Sequence, residues 1–467
     1  MIGETLCLMP AWRLRELVAA KALSPVEITR HFLDRIEQLD PALNAYLAVA
    51  GEDALSQARA AERAVLDGGP LGPLHGVPVS IKDMFRVRGM PTTAGSLLFR
   101  DFMAPDDSVH AERLREAGAV ILGKTNTPEF GLAGRTRNRL GEECLNPWDV
   151  TRTPGGSSGG AAAAVAAGMG PLAVGSDGGG SIRIPAAFCG VFGLHPSNGR
   201  VPRHGGLGGT LLMSGVGPLA RCVRDAALLL QVLAGPDTRD PTCRRDAPPD
   251  YLAELEAGVQ DLRVAWTPDY GYVTGAERSV VEAVRKTAWR LEEAGARVDA
   301  PGLKLEDTRE AKAAMSGSDN YALLGREVYE DPDRRRLLTP YARRRYARGR
   351  KVTGADYTIA LRTRFRFIAE LDRWFERYDL IASPTVGFTA PRLADLPPFD
   401  MPPDLAAYTE MVNFAGFTAA SLPCGLADGM PSGLHLIARP NDEALLLRTC
   451  RAIEKIQPWP QCPMAEN

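Results

Sequence analysis

Two hydrophobic periods alternate along this chain, and their alternation predicts its architecture. Ile28, Phe32, Leu33, Ile36 and Leu39 fall at helical spacing behind Ser24-Pro25-Val26-Glu27. That tetrapeptide reads as a capping box with proline at the first helical position. Asp40-Pro41 is expected to stop the helix. Residues 53–66 read as a second, alanine-rich helix, ended by Gly68-Gly69-Pro70. The texture then changes. Gly76-Val77-Pro78-Val79-Ser80-Ile81-Lys82-Asp83 alternates as a strand does, with Lys82 near its end. Pro78 suits an edge or a strand start. Residues 108–117 read as a helix closed by Gly118, and 119–122 as a buried strand. Helix then strand, with short links, predicts a layered α/β sheet.

The pattern continues to the C-terminal side. An apolar helix is expected over 225–233, a strand over 262–266, and an amphipathic helix over 277–294 with Gly295 in the left-handed position after it. A long helix over 355–377, a strand over 378–385 and a proline-rich loop over 386–403 follow. Residues 413–423 and 433–437 read as helix then strand, and 443–456 as a closing helix. No internal repeat or linker interrupts the series. One domain over 1–467 is therefore expected: a mainly helical part to 70, a glycine-rich core over 71–235, and the remaining sheet and pocket elements over 236–467.

Composition narrows the class. The 467 residues are 45% hydrophobic and 24% charged, as in ordinary globular proteins. Lys+Arg number 55 against Asp+Glu 57, so no basic footprint argues for nucleic acid or an acidic membrane as partner. Arginines 334, 335, 336, 343, 344, 345, 348 and 350 crowd one segment, which reads as a solvated helical face. The eight cysteines include no CxxC pair, which argues against a zinc ribbon or a thioredoxin-type motif. They read as buried reduced thiols, consistent with a cytoplasmic location. Met1-Ile2-Gly3-Glu4 lacks the basic start of a signal peptide, and the weakly polar stretch 161–174 is shorter than a bilayer span requires.

The chemistry concentrates in two glycine-rich serine loops, Pro154-Gly155-Gly156-Ser157-Ser158-Gly159-Gly160 and Gly175-Ser176-Asp177-Gly178-Gly179-Gly180-Ser181-Ile182-Arg183-Ile184-Pro185. A serine hydroxyl attacks only with a base in reach and with donors where negative charge develops. Gly178, Gly179 and Gly180 lack Cβ atoms, so their N–H groups can converge on one point beside Ser181. Alternatively, Gly156-Ser157-Ser158-Gly159-Gly160 matches the nucleophile elbow, with Ser158 attacking. The segment before it reads as loop rather than the strand an elbow needs. His195 and His204 follow Ser181 and are candidate bases, while His31 and His435 fit structural roles. Lys82 is the other candidate, because desolvation disfavours its charged form.

These loops resemble the signature of the amidase signature family. Further similar motifs are Gly76 to Asp83, Gly123-Lys124-Thr125-Asn126-Thr127-Pro128-Glu129-Phe130, Gly217-Pro218-Leu219-Ala220-Arg221 and 379–385, all in family order. The resemblance implies a large mixed, strongly twisted central sheet with helices on both faces. It implies a Ser–cis-Ser–Lys triad with Ser181 as nucleophile, Ser157 as bridge and Lys82 as base. The Gly156–Ser157 bond would be cis. The N–H groups of Gly178, Gly179, Gly180 and Ser181 would form the oxyanion hole. Asp177 and Arg183 would brace the loop, and Ser158 would hydrogen-bond behind it. The implied activity is hydrolysis of small or aryl amides, without metal or organic cofactor. Carbamate cleavage with the same triad, or the role of an amidotransferase A-type subunit with partner subunits, are the alternatives. A homodimer is compatible with either. The chain departs from the family at Gly178, where a larger residue such as threonine is frequent, and at His195, where lysine is. Residues 315–321 and 386–403 are nominated for the substrate pocket.

Overall fold

The computed structural model describes residues 6–466; Met1-Ile2-Gly3-Glu4, on which the signal-peptide reading rests, lies outside the described residues. Its strands are β1 (Tyr46–Val49), β2 (Pro78–Lys82), β3 (Val120–Thr125), β4 (Leu172–Asp177), β5 (Phe192–His195), β6 (Gly215–Ala220), β7 (Arg263–Trp266), β8 (Arg297–Asp299), β9 (Leu380–Pro384), β10 (Thr418–Ala427) and β11 (Met430–Ala438). They join in one 11-stranded sheet in the order β1-β3-β2-β4-β6-β5-β10-β11-β9-β7-β8. The sheet is mixed. β2 runs parallel to β3 and β4, and β7 parallel to β8 and β9. The other pairs are antiparallel. β2, β3, β6, β9 and β11 are buried along their whole length, so the alternation expected through 76–83 does not divide β2 into a buried and an exposed face.

Ser24 caps the helix Pro25–Leu43 through the expected capping box. That helix continues through Asp40-Pro41 to Leu43, where Asn44 ends it at φ 51°. Asp40 instead accepts the amides of Ala45 and Tyr46, and so turns the chain into β1. Pro78 opens β2 in the middle of the sheet, not at an edge; a strand start tolerates the missing N–H. The helix expected over 413–423 is shorter and earlier, at Glu410–Ala415. Gly416, at φ 85°, terminates it, and the small apolar residues that follow pair as β10 in a hairpin with β11. The expected helix 277–294 is helical over Arg278–Trp289 and tightens to a 3-10 turn before Gly295, at φ 96°. Seven of the eight cysteines are buried. Among the described residues no helix is long and apolar enough to cross a membrane.

Candidate active site

Parallel pairing of β2 with β4 brings both C-terminal ends to the same edge of the sheet. Lys82 ends β2, and Ser176-Asp177 ends β4, directly before the glycine run. The Lys82 side chain is fully buried. Its Nζ lies 2.6 Å from Ser157 Oγ, 3.0 Å from Ser158 Oγ and 3.0 Å from Ser176 Oγ. Burial lowers the Lys82 pKa to about 7, against the opposing pull of Asp177. A neutral amine offers two N–H donors and one lone pair. Three serine hydroxyls satisfy that set if one of them donates to the nitrogen.

Ser158 is the least suited to donate. Its hydroxyl donates to the Ser176 carbonyl (3.1 Å) and accepts the Ser176 amide (3.3 Å). It is also not on the cavity wall, whereas Ser157, Ser176 and Ser181 are. The Gly156–Ser157 bond is cis, as the resemblance implies. Ser181 is not among the hydrogen-bond partners of Lys82; its carbonyl accepts the Ser158 amide at 3.0 Å, which ties the two loops together.

The second loop is wrapped around a buried carboxylate. Asp177 Oδ1 accepts the amides of Gly179 (3.1 Å) and Gly180 (2.6 Å), and Oδ2 accepts that of Ile182 (3.1 Å). Arg183 is fully buried and forks onto the same carboxylate at 3.0 and 3.1 Å. It also donates to the Thr409 carbonyl, His435 Nε2 and Asn413 Oδ1. Asn413 returns its amide to Asp177 Oδ1 at 2.9 Å. Burial opposes ionisation of Asp177, but Arg183, His195 and the loop amides together hold its pKa well below the ordinary carboxylate value. Burial pushes His195 down to about 4, against Asp177, and drives His435 well down. Both are neutral struts beneath the loop, and His204 does not reach the cavity. Asp177 already engages Gly179 and Gly180, which leaves the amides of Gly178 and Ser181 uncommitted to it.

Gly180 sits at φ 119°, and a Cβ there would lie 2.2 Å from Thr409 Oγ1 and 2.7 Å from Ile184 Cδ1. Gly180→Ala is therefore expected to lower stability by about 1–3 kcal/mol and to displace the loop. A lowered thermal midpoint together with slower acylation checks this; a variant as stable and as active as the wild type contradicts it.

The two loops floor a cavity of about 260 Å³. Ser316 and Asn320 reach it from the nominated segment 315–321, while Met315 is buried in a core cluster. None of 386–403 lines it; the wall comes just later, from Leu405, Ala406 and Glu410. Val386 and Ala390 of the proline-rich loop are instead buried in a cluster with Ile184, Phe188 and Leu405. Sequence reasoning also missed Lys312 and Arg345, which both line the cavity. Lys312 Nζ lies 3.0 Å from Glu410 Oε2, and a Cβ on Gly179 would meet that nitrogen at 2.8 Å. The arginine-rich segment is not wholly a solvated face. Arg343 and Arg344 are exposed, but Arg345 turns inward, donates to Ser316 Oγ (3.0 Å), and keeps a buried Nε without a partner. Burial lowers its pKa, with Glu410 opposing. Glu129 fixes this helix: its carboxylate accepts the Thr339 amide and hydroxyl (both 2.6 Å), and its own amide donates to Tyr341 Oη.

Comparison with known proteins places the chain and its fold among amidases. The model of the amidase family matches residues 27–447. The A-type subunit of glutamyl-tRNA(Gln) amidotransferase from Moorella thermoacetica is 39% identical over 473 residues, covering 96% of each chain. Among solved structures, a bacterial aryl acylamidase of the amidase signature enzymes superposes with a TM-score of 0.88 at 31% identity, covering 97% of this chain and 96% of that one. A chain from a vestigial protein complex that reveals the origins of an s-triazine catabolic enzyme superposes at 0.89 with 31% identity, covering 97% and 100%.

Proposed function

Because this chain belongs to the amidase signature family, we propose that it cleaves the carbon–nitrogen bond of a small amide by acyl transfer to Ser181. The observation that carries this reading is Lys82 Nζ, buried and 2.6 Å from Ser157 Oγ, on the sheet edge where Ser181 lines the same cavity. Neutral Lys82 accepts the Ser157 proton as Ser157 accepts that of Ser181. Ser181 Oγ attacks the carbonyl carbon. The amides of Gly178 and Ser181 meet the developing oxyanion, held in place by Asp177 and Arg183. The proton returns along the relay to the leaving nitrogen, the C–N bond breaks, and water then hydrolyses the acyl-enzyme with Lys82 as base again.

The relatives named as A-type subunits of an amidotransferase favour a chain that works with partner subunits and passes on the released ammonia. That reading stands ahead of a free-standing hydrolase of aryl amides or carbamates, which the aryl acylamidase likeness supports. Amide cleavage by the purified chain alone, on primary amides and anilides, compared with cleavage after co-expression with partner subunits of the amidotransferase type, separates the two. Strong activation by partners supports the subunit reading, and full activity alone supports the hydrolase.

The base has a pH signature. With its pKa lowered to about 7, Lys82 is protonated below that value and cannot accept a proton. For a neutral amide, kcat/KM is expected to rise about tenfold per pH unit below about 7 and to level off above it. Lys82→Met is expected to lower kcat/KM by about 10²–10⁴-fold and to abolish the rise. A rise that persists in Lys82→Met would place the base elsewhere.

A further inference from the structure

Three serine hydroxyls surround Lys82, and only two of their protons find an acceptor in the protein. Neutral Lys82 carries two N–H groups and one lone pair, and in the proposed relay Ser157 donates to the lone pair. The two N–H groups then fall to Ser158 and Ser176, each at 3.0 Å. Ser158 gives its own proton to the Ser176 carbonyl at 3.1 Å and accepts the Ser176 amide at 3.3 Å. The Ser176 hydroxyl accepts from Lys82, but it donates to no protein atom among the described residues. Ser176 is the penultimate residue of β4. Asp177 after it is buried beneath the loop, whereas Ser176 stays partly open and lines the cavity with Ser157 and Ser181. Its O–H is therefore a donor available to the contents of the cavity. Ser157 Oγ and Ser176 Oγ both lie within hydrogen-bond reach of one nitrogen, so a single water can touch both.

The second half of the reaction needs such a donor. An amide substrate is placed by contacts along its whole length, but water has none of these, and its orientation must come from the site itself. Resting on the proposed acyl transfer to Ser181, we propose that Ser176 is a catalytic residue of deacylation, whose hydroxyl donates to the attacking water and holds it against Ser157. The water gives one proton to Ser157 Oγ as Ser157 passes its own to Lys82. The water oxygen bonds to the acyl carbon. The bond from that carbon to Ser181 Oγ then breaks, the proton returns from Lys82 through Ser157 to Ser181, and the acid leaves. Ser176 keeps its proton throughout and contributes orientation alone.

A slowly hydrolysed acyl group separates the two halves. 4-Nitrophenyl dimethylcarbamate transfers its carbamoyl group to a serine and releases 4-nitrophenolate. Mass spectrometry of the full-length enzyme, with peptide mapping, follows formation of the Ser181 adduct and, once excess reagent is removed, its decay. Ser176→Ala is expected to form the adduct within about threefold of the wild-type rate and to lose it at least about tenfold more slowly. Ser176→Thr, which keeps the hydroxyl, is expected to retain both rates within about threefold. Lys82 serves both halves, so an effect transmitted through Lys82 or through a displaced loop would slow formation and decay alike. Equal slowing of the two steps, unchanged decay in Ser176→Ala, or decay as slow in Ser176→Thr as in Ser176→Ala overturns the role of Ser176 and leaves acyl transfer to Ser181 standing. Ser181 left unmodified in the wild type, or another serine modified in its place, overturns both.

Discussion

Replacing Ser181 by alanine is expected to lower kcat/KM for amide cleavage by about 10⁴-fold or more, with little change in stability. The first half follows from the proposed relay. Without the Ser181 hydroxyl no acyl-enzyme forms, and the oxyanion amides and the binding cavity supply only residual acceleration. The second half follows from the hydrogen bonds. What ties Ser181 to the first loop is its backbone carbonyl, which accepts the Ser158 amide at 3.0 Å and survives in alanine. Ser158→Ala makes the contrast. Its hydroxyl joins Lys82 to the Ser176 backbone, so its loss is expected to lower stability by about 1–3 kcal/mol while activity stays within about tenfold of wild type. Steady-state kinetics and thermal unfolding on both variants check this. Comparable losses of activity in the two would move the nucleophile to the elbow position.

Arg183→Met is expected to destabilise the fold by about 3–5 kcal/mol, the cost of leaving a buried carboxylate without its cation. Asp177 would keep the amides of Gly179, Gly180 and Ile182 and the Asn413 side chain, but not the guanidinium. The pH dependence carries a definite sign. In the wild type, Asp177 is held well below the ordinary carboxylate value. Its contribution is therefore present above that value and is lost as pH falls through the lowered pKa. Without Arg183, burial raises the Asp177 pKa. The deficit is then largest near neutral pH and shrinks in acid, as Asp177 takes a proton. Denaturant unfolding at pH 7.5 and pH 4.5 measures it. Stability within about 1 kcal/mol of wild type at both pH values would mean that the ion pair does not hold the loop.

Much of the frame is legible in the sequence because its signals are local. The Ser24 capping box, the Gly118 and Gly295 stops, and the alternation through Lys82 each depend on a few neighbouring residues, and each appears where expected. The hairpin β10–β11 is not legible in the same way, because 418–427 is rich in small apolar residues whose period is ambiguous, and only Gly416 marks the break. The loop serines and Lys82 stand out through their motifs. The cavity wall does not, since Lys312, Arg345 and Glu410 come together only through tertiary packing. One signal for Arg345 is present. Tyr341, Ala342, Tyr346 and Gly349 form the buried face of the helix Pro340–Gly349, and Arg345 falls within that stripe while Arg343 and Arg344 fall outside it. Counting the arginines as one charged run conceals that period. The commitment of the Gly179 and Gly180 amides to Asp177 is likewise invisible in a triple-glycine sequence, because it depends on where the end of β4 aims one carboxylate.

The division of labour between the two serine loops is the central claim, and peptide mapping of the covalent adduct tests it most directly. The enzyme is treated with a serine-directed fluorophosphonate at pH 8, digested, and the modified residue located by mass spectrometry, for the wild type and for Ser157→Ala. Modification of Ser181 is predicted in the wild type, and the same site is expected to react at least a hundredfold more slowly when Ser157 no longer relays the proton to Lys82. An adduct on Ser158 or Ser157, or an undiminished rate in Ser157→Ala, would contradict it.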